Sequence, residues 1–170
     1  MHLYIVTFRG QNGYCINPEE PMPTYTVTTA NLSLSAAQKG QIAEAITAAH
    51  HAATGAPAFF AQVIFRALEN GEHFIGGKPN AHPHVFVHGM IRSGRGIDVK
   101  QKLMGEAADK VRAAAGVGAE DVWFYIQDID APQMIEFGRF LPEPGAEDAW
   151  RKAITPEKQS QLGKAGVRVL

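Results

Sequence analysis

The sequence contains the same succession of elements twice, and this repeat restricts the fold more than any other feature. β-branched and aromatic residues alternate over residues 24–29, which is typical of a strand. A helix is predicted to begin after Ser35, which has the spacing of a capping box with Gln38, and to end at Gly55. An apolar run over residues 59–68 then predicts a second strand.

The second half of the chain follows the same succession at a similar length. Residues 84–91 have the composition of a strand, residues 98–115 show helical spacing of apolar side chains, and residues 122–126 form another apolar run. Strand-helix-strand crossovers are right-handed, so both helices are expected on one face of one small sheet. The predicted fold class is α+β, with two fused β-α-β units and short helices near 146–152 and 156–162.

The predicted sheet has more apolar surface than two helices can cover. Residues 59–65 and 122–126 place apolar side chains on both sides of their strands. A strand that is apolar on both sides has to be buried on both sides. The second face is therefore expected to pack against the C-terminal tail or another subunit, and we predict a homo-oligomer.

Composition excludes several classes of protein. The chain has 170 residues, with 16 Lys and Arg against 17 Asp and Glu, and this net charge of −1 argues against a nucleic-acid binder. No apolar run approaches the roughly 20 residues of a membrane-spanning helix, and the first residues lack a secretory-signal pattern. With 45% apolar residues and a single cysteine, Cys15, the sequence predicts a soluble, cytoplasmic, globular protein with no membrane partner.

Residues 1–22 stand outside the repeat and are predicted to be an N-terminal extension, whereas residues 23–170 form a single domain with a C-terminal tail. Met22-Pro23 stands directly before the first predicted strand, so we interpret the extension as a mis-called start or a removed segment. A proline at a mature N-terminus has a secondary amine, and an unperturbed α-amino group titrates at about 7.7–8.0. The alternative is that Pro23 merely opens a strand.

Four further side chains are candidates for chemistry. Arg92 and Arg95 lie just past a predicted strand, with a glycine between them, and guanidinium groups at this spacing suit a carboxylate. Their alternative role is that of solvated loop residues. Glu136 has apolar neighbours, which favours a buried acid or base, and Tyr125 lies in the most aromatic strand, where it serves as a core or a catalytic residue.

Three histidines close in sequence suggest a metal site, but the pattern is incomplete. His84 and His88 share a face of their predicted strand, and His82 lies just before it. No cysteine accompanies them, and no acidic residue stands at motif spacing. We therefore expect no metal ligands in this chain.

Several short motifs in order resemble the cis-3-chloroacrylic acid dehalogenase group of the tautomerase superfamily. The resemblance covers Pro23 to about Trp150 and needs no gap as far as Glu136. The motifs are Met22-Pro-Thr-Tyr-Thr, Ala-Ile-Thr-Ala-Ala-His50, Phe-Val-His-Gly before Arg92-Ser-Gly-Arg95, Trp-Phe-Tyr125, and Gln-Met-Ile-Glu136-Phe-Gly-Arg-Phe-Leu-Pro-Glu-Pro-Gly.

The resemblance implies a role for each of six residues. Pro23 would be the amino-terminal proline that acts as general acid, and Tyr125 and Glu136 would activate water. The remaining three would bind the substrate carboxylate, namely His50, Arg92 and Arg95. The resemblance also implies a homotrimer that hydrates small unsaturated carboxylates, as in the conversion of cis-3-haloacrylate to malonate semialdehyde, without a metal or organic cofactor.

Two other functions remain open from the sequence. The same site suits a tautomerase, an acetylenic-acid hydratase or a decarboxylase. If residues 1–22 stay attached, the nitrogen of Pro23 is an amide with no proton to give, and a non-catalytic trimeric binding protein is the alternative.

Overall fold

A computed structural model describes residues 23–56, 58–142 and 146–167. The predicted extension, including Cys15, lies outside these residues. The elements follow one another in this order: β1 (Thr24–Ala30), α1 (Ala36–Thr54), β2 (Gln62–Ala67), β3 (Phe74–Ile75), β4 (Lys78–Pro79), β5 (His84–Arg92), α2 (Ile97–Ala115), β6 (Val122–Ile129), β7 (Ile135–Glu136), β8 (Arg139–Phe140), α3 (Glu147–Lys152) and α4 (Pro156–Lys164), with 3₁₀ turns at Ala58–Phe60, Ala119–Asp121 and Ala131–Gln133.

The central sheet confirms the predicted duplication. Its strand order is β2-β1-β5-β6. β1 pairs with β2 in parallel, β5 pairs with β6 in parallel, and the two halves join through the antiparallel pair of β1 and β5. Each half is therefore one β-α-β unit, and the sequence-based fold class is confirmed.

Helix α1 begins and ends as its sequence predicts. The Ser35 hydroxyl accepts a hydrogen bond from the backbone N–H of Gln38 at 3.2 Å, and the Gln38 side chain accepts one from the Ser35 N–H at 3.0 Å. Gly55 ends the helix with φ 79°, a conformation that glycine adopts without a steric cost. This ending fixes the last helical turn, which directly follows His50.

Both long helices pack on one face of the sheet, as the right-handed crossovers require. Their apolar side chains join those of the strands in one fully or almost fully buried core, which comprises Tyr25, Val27, Ile42, Ile46, Val85, Val87, Ile91, Val111 and Ala115. The two helices contact each other through Ala49, Leu103 and Ala107. Small residues at this contact let the helices approach closely.

The other face of the sheet stays partly uncovered in the single chain. Ile64, Trp123 and Tyr125 are 39%, 43% and 55% exposed, respectively. The prediction that two helices cannot cover this sheet is therefore confirmed for the described residues. A surface with several large apolar side chains is typical of an interface.

Two parts of the fold differ from the sequence-based prediction. The apolar run over residues 59–68 is not one strand, because Ala58–Phe60 is a 3₁₀ turn and β2 starts only at Gln62. Phe60 packs instead into a second core with Leu141, Trp150 and Ile154. The short hairpins β3-β4 and β7-β8 were not predicted at all.

The C-terminal tail has the two short helices that were predicted, α3 and α4. Trp150 of α3 anchors the tail, since its indole N–H donates to the Phe140 carbonyl at 2.8 Å. Within the described part of the chain, no helix has the length and apolar character needed to cross a membrane.

Candidate active site

The strand order brings four chain segments to one end of the sheet. β1 and β2 run parallel and both begin at this end, while β5 and β6 both end there. Helix α1 has to return the chain to the start of β2, so its last turn lies at the same end. Pro23, His50 and Arg92 are therefore gathered here from distant parts of the sequence.

Pro23 stands directly before β1 and its side chain is fully buried. Its carbonyl accepts a hydrogen bond from the Gln62 N–H at 2.9 Å, which ties it to the start of the neighbouring strand. Its nitrogen is an amide while residue 22 is attached. A free amine at this position would face a buried environment, where neighbouring charges act strongly on it.

His50 lies just before the last turn of α1 and is only 2% exposed. Its Nδ1 is 2.7 Å from the hydroxyl of Tyr25, whereas its Nε2 is buried without a hydrogen-bond partner among the described residues. Burial, followed by the charges of Arg95 and His51, lowers the pKa of His50 to about 3. The ring is therefore neutral at pH 7.

The next residue, His51, points away from this interior and is exposed. Its Nδ1–H donates to the carbonyl of Ala56 at 2.6 Å, just past the end of α1. Of the two adjacent histidines, His50 is therefore the one that faces the core and the candidate site.

Arg92 and Arg95 come together at the end of β5. Arg92 is 2% exposed, and its Nη1 donates to the Pro142 carbonyl at 3.1 Å. Arg95 donates from its Nη1 to the Arg92 carbonyl at 2.9 Å, across a turn in which Gly94 has φ 110°. The Arg95 charge also acts on both Tyr25 and His50, which puts this cation beside the buried histidine.

Glu136 lies in the β7-β8 hairpin that follows β6. Its Oε2 is buried without a hydrogen-bond partner among the described residues, and burial raises its pKa to about 8. The turn after it has Phe137 at φ 49° and Gly138 at φ 77°. The hairpin leads directly to Pro142, so the Arg92 hydrogen bond connects the Glu136 hairpin to the end of β5.

Tyr125 is the one predicted site residue that the single chain holds away from this end. It lies in the middle of β6, paired in register with His88, on the uncovered face of the sheet. Its ring meets that of Phe86 edge-on, with 5.1 Å between ring centroids. In one chain, Tyr125 does not join His50 and Arg95.

Sequence analysis missed Tyr25. A tyrosine in an alternating strand is an ordinary core residue, and its partner His50 is 25 positions away. The one signal in the sequence was indirect, because Gly89 in the neighbouring strand has no side chain where a large ring needs space.

A family model described as "Putative oxalocrotonate tautomerase enzyme" matches residues 22–154. The chain belongs to the tautomerase superfamily. Within this superfamily, the chain has 31% sequence identity to N1, a member of the cis-3-chloroacrylic acid dehalogenase family whose crystal structure has been solved. The match has a TM-score of 0.74 and covers 83% of this chain and 99% of N1. The resemblance noted in the sequence to the cis-3-chloroacrylic acid dehalogenase group is thereby confirmed.

Solved structures of lower sequence identity share the fold. A fused 4-OT protein, described as a wild-type symmetric trimer, is 19% identical with a TM-score of 0.63, over 69% of this chain and 94% of that one. MIF2 from Leishmania major is 13% identical with a TM-score of 0.60, over 72% and 98%. No curated protein matches the chain. Membership of the superfamily supports a related catalytic function.

Proposed function

We propose that this tautomerase-superfamily protein adds water to small unsaturated carboxylates. For a cis-3-haloacrylate, hydroxide adds to C3 and a proton to C2. The resulting halohydrin then expels hydrogen halide, which leaves malonate semialdehyde. The net reaction consumes one water and transfers no electrons to or from the protein, so it calls for no redox cofactor.

The observation that carries this proposal is the convergence of two arginines and a neutral histidine at one buried end of the sheet. Arg92, Arg95 and His50 come from two elements and offer hydrogen-bond donors to one anion. A carboxylate held by these donors draws electron density from its β-carbon, which favours attack by water there.

Glu136 is the proposed base that activates the water. Its buried, unpartnered Oε2 provides an acceptor for a water proton, and its raised pKa makes it a stronger base than an ordinary carboxylate. Tyr125 is the proposed second contact of this water.

Pro23 is the proposed general acid that protonates C2. This role requires removal of residues 1–22, because only a terminal proline has a nitrogen with a proton to give. Two observations support such a start: the family match begins at residue 22, and Pro23 lies buried at the same sheet end as His50.

Turnover measurements test the proposed activity directly. Protein that begins at Pro23 is assayed with cis-3-chloroacrylate, propiolate and an enolpyruvate, beside its Glu136→Gln variant and the matched surface variant Glu120→Gln. We expect Glu136→Gln to lose about 10²–10⁴-fold in kcat and Glu120→Gln to keep it. Equal rates for Glu136→Gln and wild type would rule out this base, and turnover of the enolpyruvate alone would make the protein a tautomerase.

The native N-terminus has its own test. Mass spectrometry of protein from its native host is expected to find a chain that begins at Pro23. A chain that keeps residues 1–22 would contradict the role of Pro23 as acid and would favour the non-catalytic binding function.

We also propose that the protein assembles as a homotrimer through the uncovered sheet face. The exposed Trp123 and Ile64 support an interface there, and the fused 4-OT relative is described as a trimer. Since Tyr125 lies on this face and away from its own chain's site, its proposed catalytic role places it in the site of a neighbouring copy. Light scattering is expected to give a molar mass three times that of one chain. The mass of one chain is 18.4 kDa with the extension and is smaller without it.

A further inference from the structure

The geometry points to Tyr25 as a positioning residue that holds His50 in the tautomer with its proton on Nε2, the ring nitrogen that is left without a partner among the described residues. This inference rests on the proposed role of His50 in substrate binding. It adds to that role a reason why the imidazole presents a donor and not a lone pair.

The contact between the two side chains is close and buried. The Tyr25 hydroxyl lies 2.7 Å from His50 Nδ1, and the two residues are 0% and 2% exposed. Their rings meet edge-on, with centroids 5.9 Å apart and an interplanar angle of 72°. Phe124 supports the other side of the tyrosine ring, also edge-on, at 6.1 Å. Water has little access to this pair, so each polar atom depends on the other.

The backbone of the neighbouring strand leaves space for this tyrosine. Tyr25 of β1 stands opposite Gly89 of β5 in the antiparallel register. A Cβ atom at position 89 would lie 2.5 Å from Tyr25 Cε1 and 2.8 Å from Cδ1, which is closer than real contacts allow. Any other residue at position 89 would therefore displace the ring and with it the hydroxyl.

The available hydrogen-bond partners determine which of the two side chains donates. Burial raises the pKa of the Tyr25 phenol, so the phenol keeps its proton. Among the described residues, the hydroxyl has His50 Nδ1 as its hydrogen-bond partner. If His50 donated from Nδ1, the phenolic proton would be buried without an acceptor, which is unfavourable. The phenol therefore donates, and the neutral imidazole has its own proton on Nε2.

This arrangement suits recognition of a carboxylate. His50 Nε2 is buried without a partner among the described residues and is thus available to a ligand. A donor at this atom binds a carboxylate oxygen, whereas a lone pair would repel it. Burial and then the neighbouring Arg95 charge disfavour a protonated ring, so the donor is neutral and depends on Tyr25 for its direction.

The decisive measurement is the ¹⁵N spectrum of the His50 side chain in protein that begins at Pro23, assigned by comparison with His50→Gln. We expect Nε2 to carry the proton in the wild type and the two tautomers to mix in Tyr25→Phe. The control Phe124→Leu, which removes a ring contact of Tyr25 and keeps the hydroxyl, is expected to retain the wild-type spectrum. A proton on Nδ1 in the wild type, or an unchanged spectrum in Tyr25→Phe, would overturn the proposal.

Kinetics provide a second readout. Because the hydrogen bond acts on substrate binding, Tyr25→Phe is expected to raise KM about tenfold and to change kcat less. In a His50→Gln background, Tyr25→Phe is expected to have no further effect on KM. An equal increase in KM from Tyr25→Phe in the wild-type and His50→Gln backgrounds would contradict action through His50. The spectrum needs no turnover, so it decides the tautomer even if none of the proposed substrates reacts.

A third variant covers the case in which Tyr25→Phe does not fold. The chain has four tyrosines, and protein that begins at Pro23 contains only Tyr25 and Tyr125. Replacement of tyrosine by 3-fluorotyrosine keeps the shape of the core and makes the phenol a stronger donor. We expect the His50 Nδ1 resonance to shift in this protein, also in a Tyr125→Phe background. No shift would mean that the phenol does not donate to Nδ1.

Discussion

Burial gives Glu136 the pKa of a base suited to weakly basic solution. Its pKa is raised from the ordinary 4.5 to about 8, with burial as the cause. A base has to be deprotonated to act, so kcat/KM is expected to rise with pH towards about 8 and to fall again at higher pH, where the proposed acid Pro23 loses its proton. The pH profile of protein that begins at Pro23 measures this. A flat profile between pH 6 and 9 would contradict Glu136 as the base.

His50 makes the stability of the folded protein depend on pH. Its folded-state pKa of about 3 lies below the ordinary 6.5, so its stabilising contribution is present above pH 6.5 and is lost as the pH falls towards 3. We expect the free energy of unfolding from urea titrations to fall over this range. His50→Gln should reduce the slope of this free energy against pH by the equivalent of up to about one bound proton. The exposed neighbour provides the control, since His51→Gln is expected to leave the slope nearly unchanged.

At the scale of elements, the capping box of Ser35 and Gln38 stabilises α1, the helix that contains His50. Ser35→Ala removes the hydroxyl that accepts from the Gln38 N–H and is expected to cost about 1 kcal/mol of stability. Urea denaturation measures the loss. Ser33→Ala, two residues earlier at an exposed position outside the helix, should cost much less. Equal losses in both variants would show that the cap contributes nothing specific.

Long periodic elements and the two short helices of the tail could be predicted from the sequence, whereas the two-residue strands could not. β1, α1, β5 and α2 each have enough residues for a repeating pattern of apolar side chains to stand out. The hairpins β3-β4 and β7-β8 have two residues in each strand, which is too few for any period. Glu136 could be predicted as a buried carboxylate from its apolar neighbours, but not as part of a hairpin.

The same contrast applies to the site. The six predicted residues were found through motifs that stand in a fixed order along the chain. Tyr25 escaped because its contact with His50 depends on how a strand and a helix pack, and on the absence of a side chain at Gly89. The register between β1 and β5 that brings Tyr25 opposite Gly89 is a property of the folded sheet. No local pattern in either strand indicates it.

At the scale of the whole molecule, the uncovered sheet face is expected to hold the subunits together. Trp123→Lys places a charge in the middle of this face and is expected to dissociate the protein into monomers. Ile97→Lys is the matched control, since Ile97 is 66% exposed but lies at the start of α2, away from this face. Sedimentation velocity measures both. A Trp123→Lys protein that keeps its wild-type mass would mean that another surface forms the contact.

Mixed oligomers test whether sites are shared between subunits. Tyr125→Phe and Glu136→Gln chains are each expected to be nearly inactive alone. If Tyr125 serves a neighbouring copy, random trimers of the two chains contain intact sites, and about one quarter of the wild-type rate should return on mixing and refolding. No recovery would mean that Tyr125 and Glu136 act within the same chain.

The antiparallel joining of β1 and β5 has a consequence for how such a chain changes during evolution. The first strand of one half begins at the end of the sheet that carries Pro23, whereas the first strand of the other half begins at the opposite end, with His84 against the ring of His73. When two copies are fused in one gene, the second copy no longer has to supply the functional residues that the first copy already supplies. The beginning of its leading strand, at His84, is then free to accumulate substitutions that serve packing alone, while Arg92 at the other end of this strand stays in the candidate site.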